Sequence, residues 1–396
     1  MTALRIVGCL ICWSAIFLLG RTVAAATATA AEISALRPQS DLKEAIQDLA
    51  KTAIWSGDLR LREQSEELGT GDTRNSQKLR ARLGVKFEVK QNLMTEFRLA
   101  TSRSGNSSNQ SLGDSKEPGQ ARRYFGLDLA YGRLEPLKEV SLYAGRIPQI
   151  HDRPGKSQIL LDSDFALEGA AAKISVPLAN EWSFQTNWGS TWLRENYDSY
   201  YSVEETDSML NWGQLSISWT RGDAKANLGT GFFNFSAIQG RKFSELSVGG
   251  SARGNTDKGD GSFKDTYIPR QYFLDLSTKW EGFSYGLFAE SIANTEANDP
   301  NRAWMAGIQF GKNQWSLSCS FQDLESDSVV GVFTDSDFAG GMTSSRGWIL
   351  AGQWKFNQSA QVGITHYQNQ RIEDAGVKIG QSVSYIRTHF DLSLMF

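Results

Sequence analysis

The chain has 396 residues, 40% hydrophobic and 21% charged, with 37 Gly, 12 Trp, 21 Phe and only 8 Pro. This composition suits a folded, aromatic-rich protein and excludes a disordered or collagenous one. With 41 basic against 44 acidic residues the formal net charge is −3, which argues against a nucleic-acid partner, since phosphate binding needs a basic surface.

Residues 1–30 stand apart: Arg5, the apolar run from Ile6 to Leu19, then the small-residue stretch "GRTVAAATATAAE". A basic start, a short apolar run and small-x-small sites predict a secretory signal peptide rather than a membrane-spanning helix. Its removal takes away Arg5 and Arg21, moving the charge from −3 to −5, together with Cys9 and Cys12. Cys319 then remains alone, so the exported chain is expected to hold no internal disulfide.

Residues 31–53 are expected to form a short periplasmic segment. Within it "SDLKEAIQDLAK" places Leu42, Ile46 and Leu49 on one face behind Ser40 as cap, the pattern of a short amphipathic helix. No other apolar run of helix length follows, so a membrane-spanning form of this chain has to be a closed barrel.

From Ile54 onward the periodicity is two. Trp55, Leu59 and Leu61 alternate with Asp58, Arg60 and Arg62, and Leu79, Ala81, Leu83, Val85, Phe87 and Val89 with Arg80, Arg82, Lys86, Glu88 and Lys90. One face of such a strand needs water and the other something dry. About sixteen segments of this kind are predicted, near 54–63, 79–90, 93–102, 122–133, 139–147, 166–176, 181–193, 209–220, 223–233, 271–280, 283–293, 302–311, 314–323, 347–356, 359–368 and 383–396. Their connections alternate between tight ("QN", "EPLK", "PLAN", "RGD", "EG", "KN", "NQ") and long and polar, as between the two rims of an outer-membrane barrel. The predicted class is therefore all-β: a transmembrane antiparallel β-barrel of about sixteen strands over 54–396, preceded by a short N-terminal helix.

Aromatic residues recur on the dry parity: Trp182, Phe184, Trp188 and Trp192; Trp304 and Phe310; Trp315 and Phe321; Trp348, Trp354 and Phe356. Amphipathic rings of this kind suit the two interfaces of a membrane. The last strand ends on Phe396, in phase with Ile386, Phe390, Leu392 and Leu394 and out of phase with Tyr385, Arg387, His389, Asp391 and Ser393. An ordered apolar terminus needs a partner, and the first strand, near Trp55, is the partner that closes the barrel.

Arg60, Arg62, Arg80, Arg82 and Arg98 share the wet parity on the first three strands, forming a basic ladder along one wall. The third long connection, "PQIHDRPGKSQILLDSDFALEG", carries Asp152, Asp162, Asp164 and Glu168 as candidate counter-charges. A loop of this kind folded into the lumen opposite the ladder would form a constriction selecting by size and charge. Only His151, His366 and His389 are present, none spaced as a catalytic partner, and "GNTDKGDGSFKD" lacks the spacing of a calcium loop. No catalytic residue, metal or cofactor is expected.

"WSGDLRLRE", "LRARLGVKFEV", "YAGRIPQ" and "LLDSDFALEGAA" resemble the bacterial putative-porin family of outer-membrane proteins, over the chain from about Trp55 to Phe396. The resemblance implies a water-filled diffusion channel for small hydrophilic solutes and ions in the bacterial outer membrane. It also implies assembly as a homotrimer among outer-membrane lipid and lipopolysaccharide, with Phe396 as the signal read by the barrel-assembly machinery. A non-conducting barrel acting as a structural or adhesive surface protein is the alternative.

Overall fold

The strand pattern read from the sequence closes into a barrel. The computed structural model describes residues 52–102, 107–113, 119–198, 203–204, 206–246, 250–298, 300–372 and 382–396. The expected signal peptide and the helix over 40–51 lie outside them. The first strands are β1 (Ile54–Leu68), β2 (Arg74–Lys90), β3 (Leu93–Ser102), β4 (Tyr124–Leu137), β5 (Val140–Ile147), β6 (Leu167–Pro177), β7 (Trp182–Arg194) and β8 (Ser208–Arg221). The sheet continues through β9 (Ala224–Ser236), β10 (Pro269–Trp280), β11 (Phe283–Asn294), β12 (Arg302–Lys312), β13 (Trp315–Leu324), β14 (Ser345–Lys355), β15 (Ala360–Arg371) and β16 (Val383–Met395). Each pairs antiparallel with its neighbours, and β16 pairs with β1 from Asp58↔Met395 to Leu68↔Tyr385, so the sheet closes on itself.

Phe396 continues the closure by one residue. Its backbone exchanges two 3.1 Å hydrogen bonds with Gly57, and its ring lies over that glycine, where any side chain would collide with it. Both ends of the barrel therefore meet at the rim of tight turns, as an even strand count requires.

The tight turns carry the backbone chemistry expected of them. Glu281 and Gly282 both have positive φ, 50° and 78°, matching the twist of a two-residue hairpin, and Gly222 of the "RGD" turn has φ 57°.

At the other rim the first long loop proves short. β1 and β2 run on to Leu68 and from Arg74, well past the predicted 63 and 79, leaving only residues 69–73 as the loop. The reason is that "EQSEEL" and "RNSQK" pair across the hairpin although polar on both faces, which a strand tolerates where both sides meet water. β3 stops earlier, at Ser102, and the exposed edge of β2 is taken by a two-residue strand, Gln110–Ser111, opposite Leu79 and Lys78.

The outward parity is apolar, with Leu61, Leu83, Ile217, Ile308 and Leu317 all exposed. Aromatic rings form two rows on it. Trp304, Phe321 and Trp348 pack at 5.4 and 5.1 Å near the long-loop rim, and Phe283, Phe310 and Trp315 at 5.2 Å near the tight-turn rim. Trp304 and Phe310, like Trp348 and Trp354, stand six residues apart on one strand, about 20 Å.

The core lies inside the barrel rather than between sheets. Phe233, Phe235, Leu210 and Trp212 from the wall meet Ile159, Leu161, Val329, Val330 and Phe338 from the loops, all but inaccessible to solvent. Each such apolar side chain contributes about 1.5–3 kcal/mol by leaving water. The loop segments that carry these residues are therefore folded parts of the molecule.

Deleting Phe396 removes two ladder bonds and the ring over Gly57, and is expected to lower the fraction of heat-modifiable barrel on gels after refolding. A wild-type fraction would mean that the Asp58 to Leu68 ladder closes the cylinder alone.

Candidate functional site

One wall, formed by β16, β1, β2, β3 and β4, turns charged side chains inward. Register sets Arg60 opposite Arg80, Arg62 opposite Lys78, and Asp58 opposite Arg82. Like charges directly opposed repel, so each needs a counter-charge. Asp58 takes Arg80 Nη2 at 2.8 Å and Arg82 Nε at 2.6 Å. Asp391 of β16 takes Arg62 in a two-pronged contact of 2.7 and 2.9 Å. Asp128, turned inward by a register shift between β3 and β4, takes Arg98 Nε at 2.6 Å. Lys86 lies 3.5 Å from Glu96, which also accepts from Tyr131 at 2.7 Å.

The expected counter-charges for this ladder were the acids of the third long loop, residues 148–166. The structure supplies them mainly from the wall itself and from the seventh long loop, residues 325–344. Asp337 of that loop reaches Arg62 Nη1 at 3.1 Å and Arg387 Nη1 at 2.9 Å, while Arg387 Nη2 holds Glu66 at 2.7 Å. His389 Nδ1 is 3.7 Å from the same Asp337.

The third loop does fold into the lumen. Asp152 is fixed against the opposite wall, accepting from Gln185 at 2.9 Å and from Ser216 at 3.0 Å. Its backbone N–H donates to Gln214 at 2.7 Å, and Gln214 continues through Gln271 to the buried Glu290, which accepts from Ser157 of the loop. Gly155, at φ 56°, donates to Asp275 at 3.1 Å and lies on the ring of Phe288, a position that admits no side chain. The loop tip then locks onto the seventh loop: Asp162 N–H donates to the Phe333 carbonyl at 2.7 Å, and Ser336 N–H to the Asp162 carboxylate at 3.0 Å. The fifth loop, residues 237–268, closes the set. Asn255 donates to the Ser326 and Val329 carbonyls at 2.6 and 2.8 Å, and Tyr267 to Asp327 at 2.7 Å.

The four expected loop acids thus part company. Asp152 faces the wall away from the ladder, and Asp162 is buried between two loops. Asp164 alone approaches the ladder, through Asn109, whose Nδ2 lies 3.5 Å from it and whose Oδ1 accepts from Arg60. Glu168 is corrected outright: it belongs to β6, on the outward parity, and pairs with Arg146 at 2.6 Å. A strand that starts at Leu167 puts Leu167 inward and Glu168 out. Asp58, Lys78, Asp128, Asp337, Arg387 and Asp391 complete the wall and were not among the expected site residues. The wet parity of Arg387 and Asp391 was visible; Lys78 and Asp337 lay in expected loops.

A family model described as a putative porin matches residues 45–266 and 274–390. The chain belongs to the putative-porin family. No curated protein matches the sequence. Among solved structures, Salmonella typhi OmpF in complex with daunomycin aligns at TM-score 0.52 and 10% identity, over 87% of this chain and 97% of that one. OmpT, an outer membrane protein of Vibrio cholerae, aligns at TM-score 0.47 and 12% identity, over 87% and 97%. The OmpF likeness is one of fold.

In this porin-family barrel the loop acids have divergent environments. Burial, then Asp337 and Asp162, push the Asp335 carboxyl well above the usual range, and burial with Asp164 raises Asp162. At Asp337 burial opposes the charge, but His389, Arg62 and Arg387 hold its carboxyl below the usual range. Burial and Arg153 push the His151 ring down to about 3, leaving it neutral against Phe233.

An acid whose folded value is raised stabilises the fold below its unfolded value of 3.8, and loses that contribution as pH rises through the folded value. Asp335→Asn is therefore expected to raise the melting temperature at about pH 7 and leave it unchanged near pH 3. Thermal melts of the detergent-folded barrel measure this; no gain at neutral pH would mean that ionising Asp335 costs the fold nothing.

Proposed function

We propose that the chain is an outer-membrane porin, a water-filled channel for passive diffusion of small hydrophilic solutes and ions. One observation carries this reading, the contrast between the two inner walls. Gln214, Gln271 and Glu290 on one side are sealed under the third loop, whereas Arg82, Arg98 and Lys86 on the other keep 26, 30 and 43% of their side-chain surface accessible. Water then follows the basic wall, past Asp164 and Asp337. The apolar outer face with its two aromatic rows suits a hydrocarbon slab and its interfaces.

The packed apolar core of the third, fifth and seventh loops favours a second reading, a non-conducting barrel whose loops serve as a structural or adhesive surface. Planar-bilayer recording of the purified protein separates the two: stepwise conductance supports the channel, and silence from a folded barrel supports the surface protein. In this reading the chain acts as no enzyme, reaches the outer membrane through its signal peptide, and assembles as a homotrimer, which crosslinking would reveal.

Arg80→Gln with Arg82→Gln leaves Asp58 unpaired on the basic wall, so the reversal potential in a salt gradient is expected to shift toward cations. Asp164→Asn is expected to shift it toward anions, and Asp162→Asn, buried between loops, far less. Equal shifts from both acids would contradict this geometry.

The orientation is tested by a tag inserted after Gly259, which has open space around it in the fifth loop. It is expected to label on intact cells, and a tag at Pro136 only after permeabilisation. The reverse result would invert the barrel.

A further inference from the structure

On the basic wall, Arg60 and Lys78 have no carboxylate within 4.0 Å among the described residues. They are diagonal neighbours. Arg60 stands opposite Arg80 on the adjacent strand, and Lys78 opposite Arg62, so four inward cations occupy adjoining positions. The nearby carboxylates are already engaged. Asp391 is held in two-pronged fashion by Arg62, Asp58 by Arg80 and Arg82, and Asp337 by Arg62 and Arg387.

What the protein offers Arg60 is a neutral group. Its Nη2 donates to the Asn109 carbonyl oxygen, and the Asn109 amide stands between that guanidinium and Asp164. Arg60 Nε is buried without any partner. Asn109 is itself held from behind: Thr101 accepts from Ala81 N–H at 3.1 Å and donates to the Ser108 carbonyl at 2.7 Å, while Gln110 pairs with Leu79. A rigidly placed neutral acceptor, in a patch of four cations, leaves positive charge uncompensated on the basic wall.

We propose that Arg60 and Lys78 form a binding site for a small oxyanion, the carboxylate or phosphate group of a solute. The guanidinium offers a planar fork and the ammonium a point charge from the neighbouring strand, which together suit an anion with two or three oxygens. Asn109 Nδ2 is a further neutral donor at its margin. This rests on the reading of the basic wall as a solute path, and it names the solute class that path favours.

The test uses the full-length, detergent-folded barrel at low ionic strength, titrated by calorimetry with inorganic phosphate and, separately, with acetate. Saturable binding of at least one is expected, weakened about tenfold by Arg60→Gln and by Lys78→Gln, the loss of one charge-assisted contact. Lys279→Gln, which removes the same charge at the exposed tight-turn end of β10, is expected to change nothing. Asn109→Asp keeps both cations and supplies Arg60 with a resident carboxylate. It is expected to abolish anion binding in a barrel that remains heat-modifiable, so loss of binding is not confused with loss of fold. Phosphate binding without acetate binding assigns phosphorylated solutes, and the converse carboxylates. No saturable binding to the wild type, or equal binding by wild type and Asn109→Asp, overturns the site. Conductance is recorded on the same protein: a silent barrel that binds phosphate defeats the channel reading and leaves the site, and a conducting one that binds neither anion does the reverse.

Discussion

The ladder between β16 and β1 fixes which side of every strand faces inward. Side chains alternate, so a slip of one residue at that seam would exchange the apolar and charged faces of one strand relative to its partner. The register Arg62↔Asp391 shows how strongly the slip is opposed. The same pairing that closes the backbone brings a guanidinium onto a carboxylate inside, and leaves Leu61 opposite Leu392 outside. Covalent order, hydrogen bonding and electrostatics thus agree on one closure.

Inside that frame the loops divide the lumen unequally. The third loop is tied to β7, β8, β10 and β11 by amides, hydroxyls and the carboxylates of Asp152, Asp275 and Glu290, and its tip shares an apolar core with the fifth and seventh loops. The seventh reaches across to the other wall through Asp337. Buried ion pairs add little net stability when both members are present, but removing one member strands its partner at a cost of about 3–5 kcal/mol. The linked set Arg62, Asp391, Asp337, Arg387 and Glu66 therefore specifies where the seventh loop sits more than it strengthens the barrel.

Most of the architecture was legible in the sequence because a barrel strand must alternate along its membrane-length stretch. The sixteen segments, the tight and long rims, the aromatic parity and the closing role of Phe396 all follow from that rule. The ladder of Arg60, Arg62, Arg80, Arg82 and Arg98 followed too, since parity alone turns these side chains inward. What was not legible depends on where a strand stops being ruled by a dry face. Past Glu63 both faces of β1 are polar, so the sequence there reads as loop although the backbone pairs on to Leu68. Lys78 was hidden for the same reason on β2. Glu168 was misplaced because a shift of one residue at the start of β6 decides between lumen and exterior. Asp337 sits in "VFTDSDFAG", and nothing in that stretch announces that the chain will fold back onto Arg62 and Arg387.

The two-residue pairing of Gln110 and Ser111 with β2 bears on how such a protein can diversify. Because Asn109 is positioned by backbone bonds to a barrel strand and by Thr101, its place does not depend on the rest of its loop. Insertions or deletions beyond Gly113 can alter the rest of this loop, while the neutral group on Arg60 stays where it is. The length of that loop and the charge pattern inside are thereby free to change at different rates.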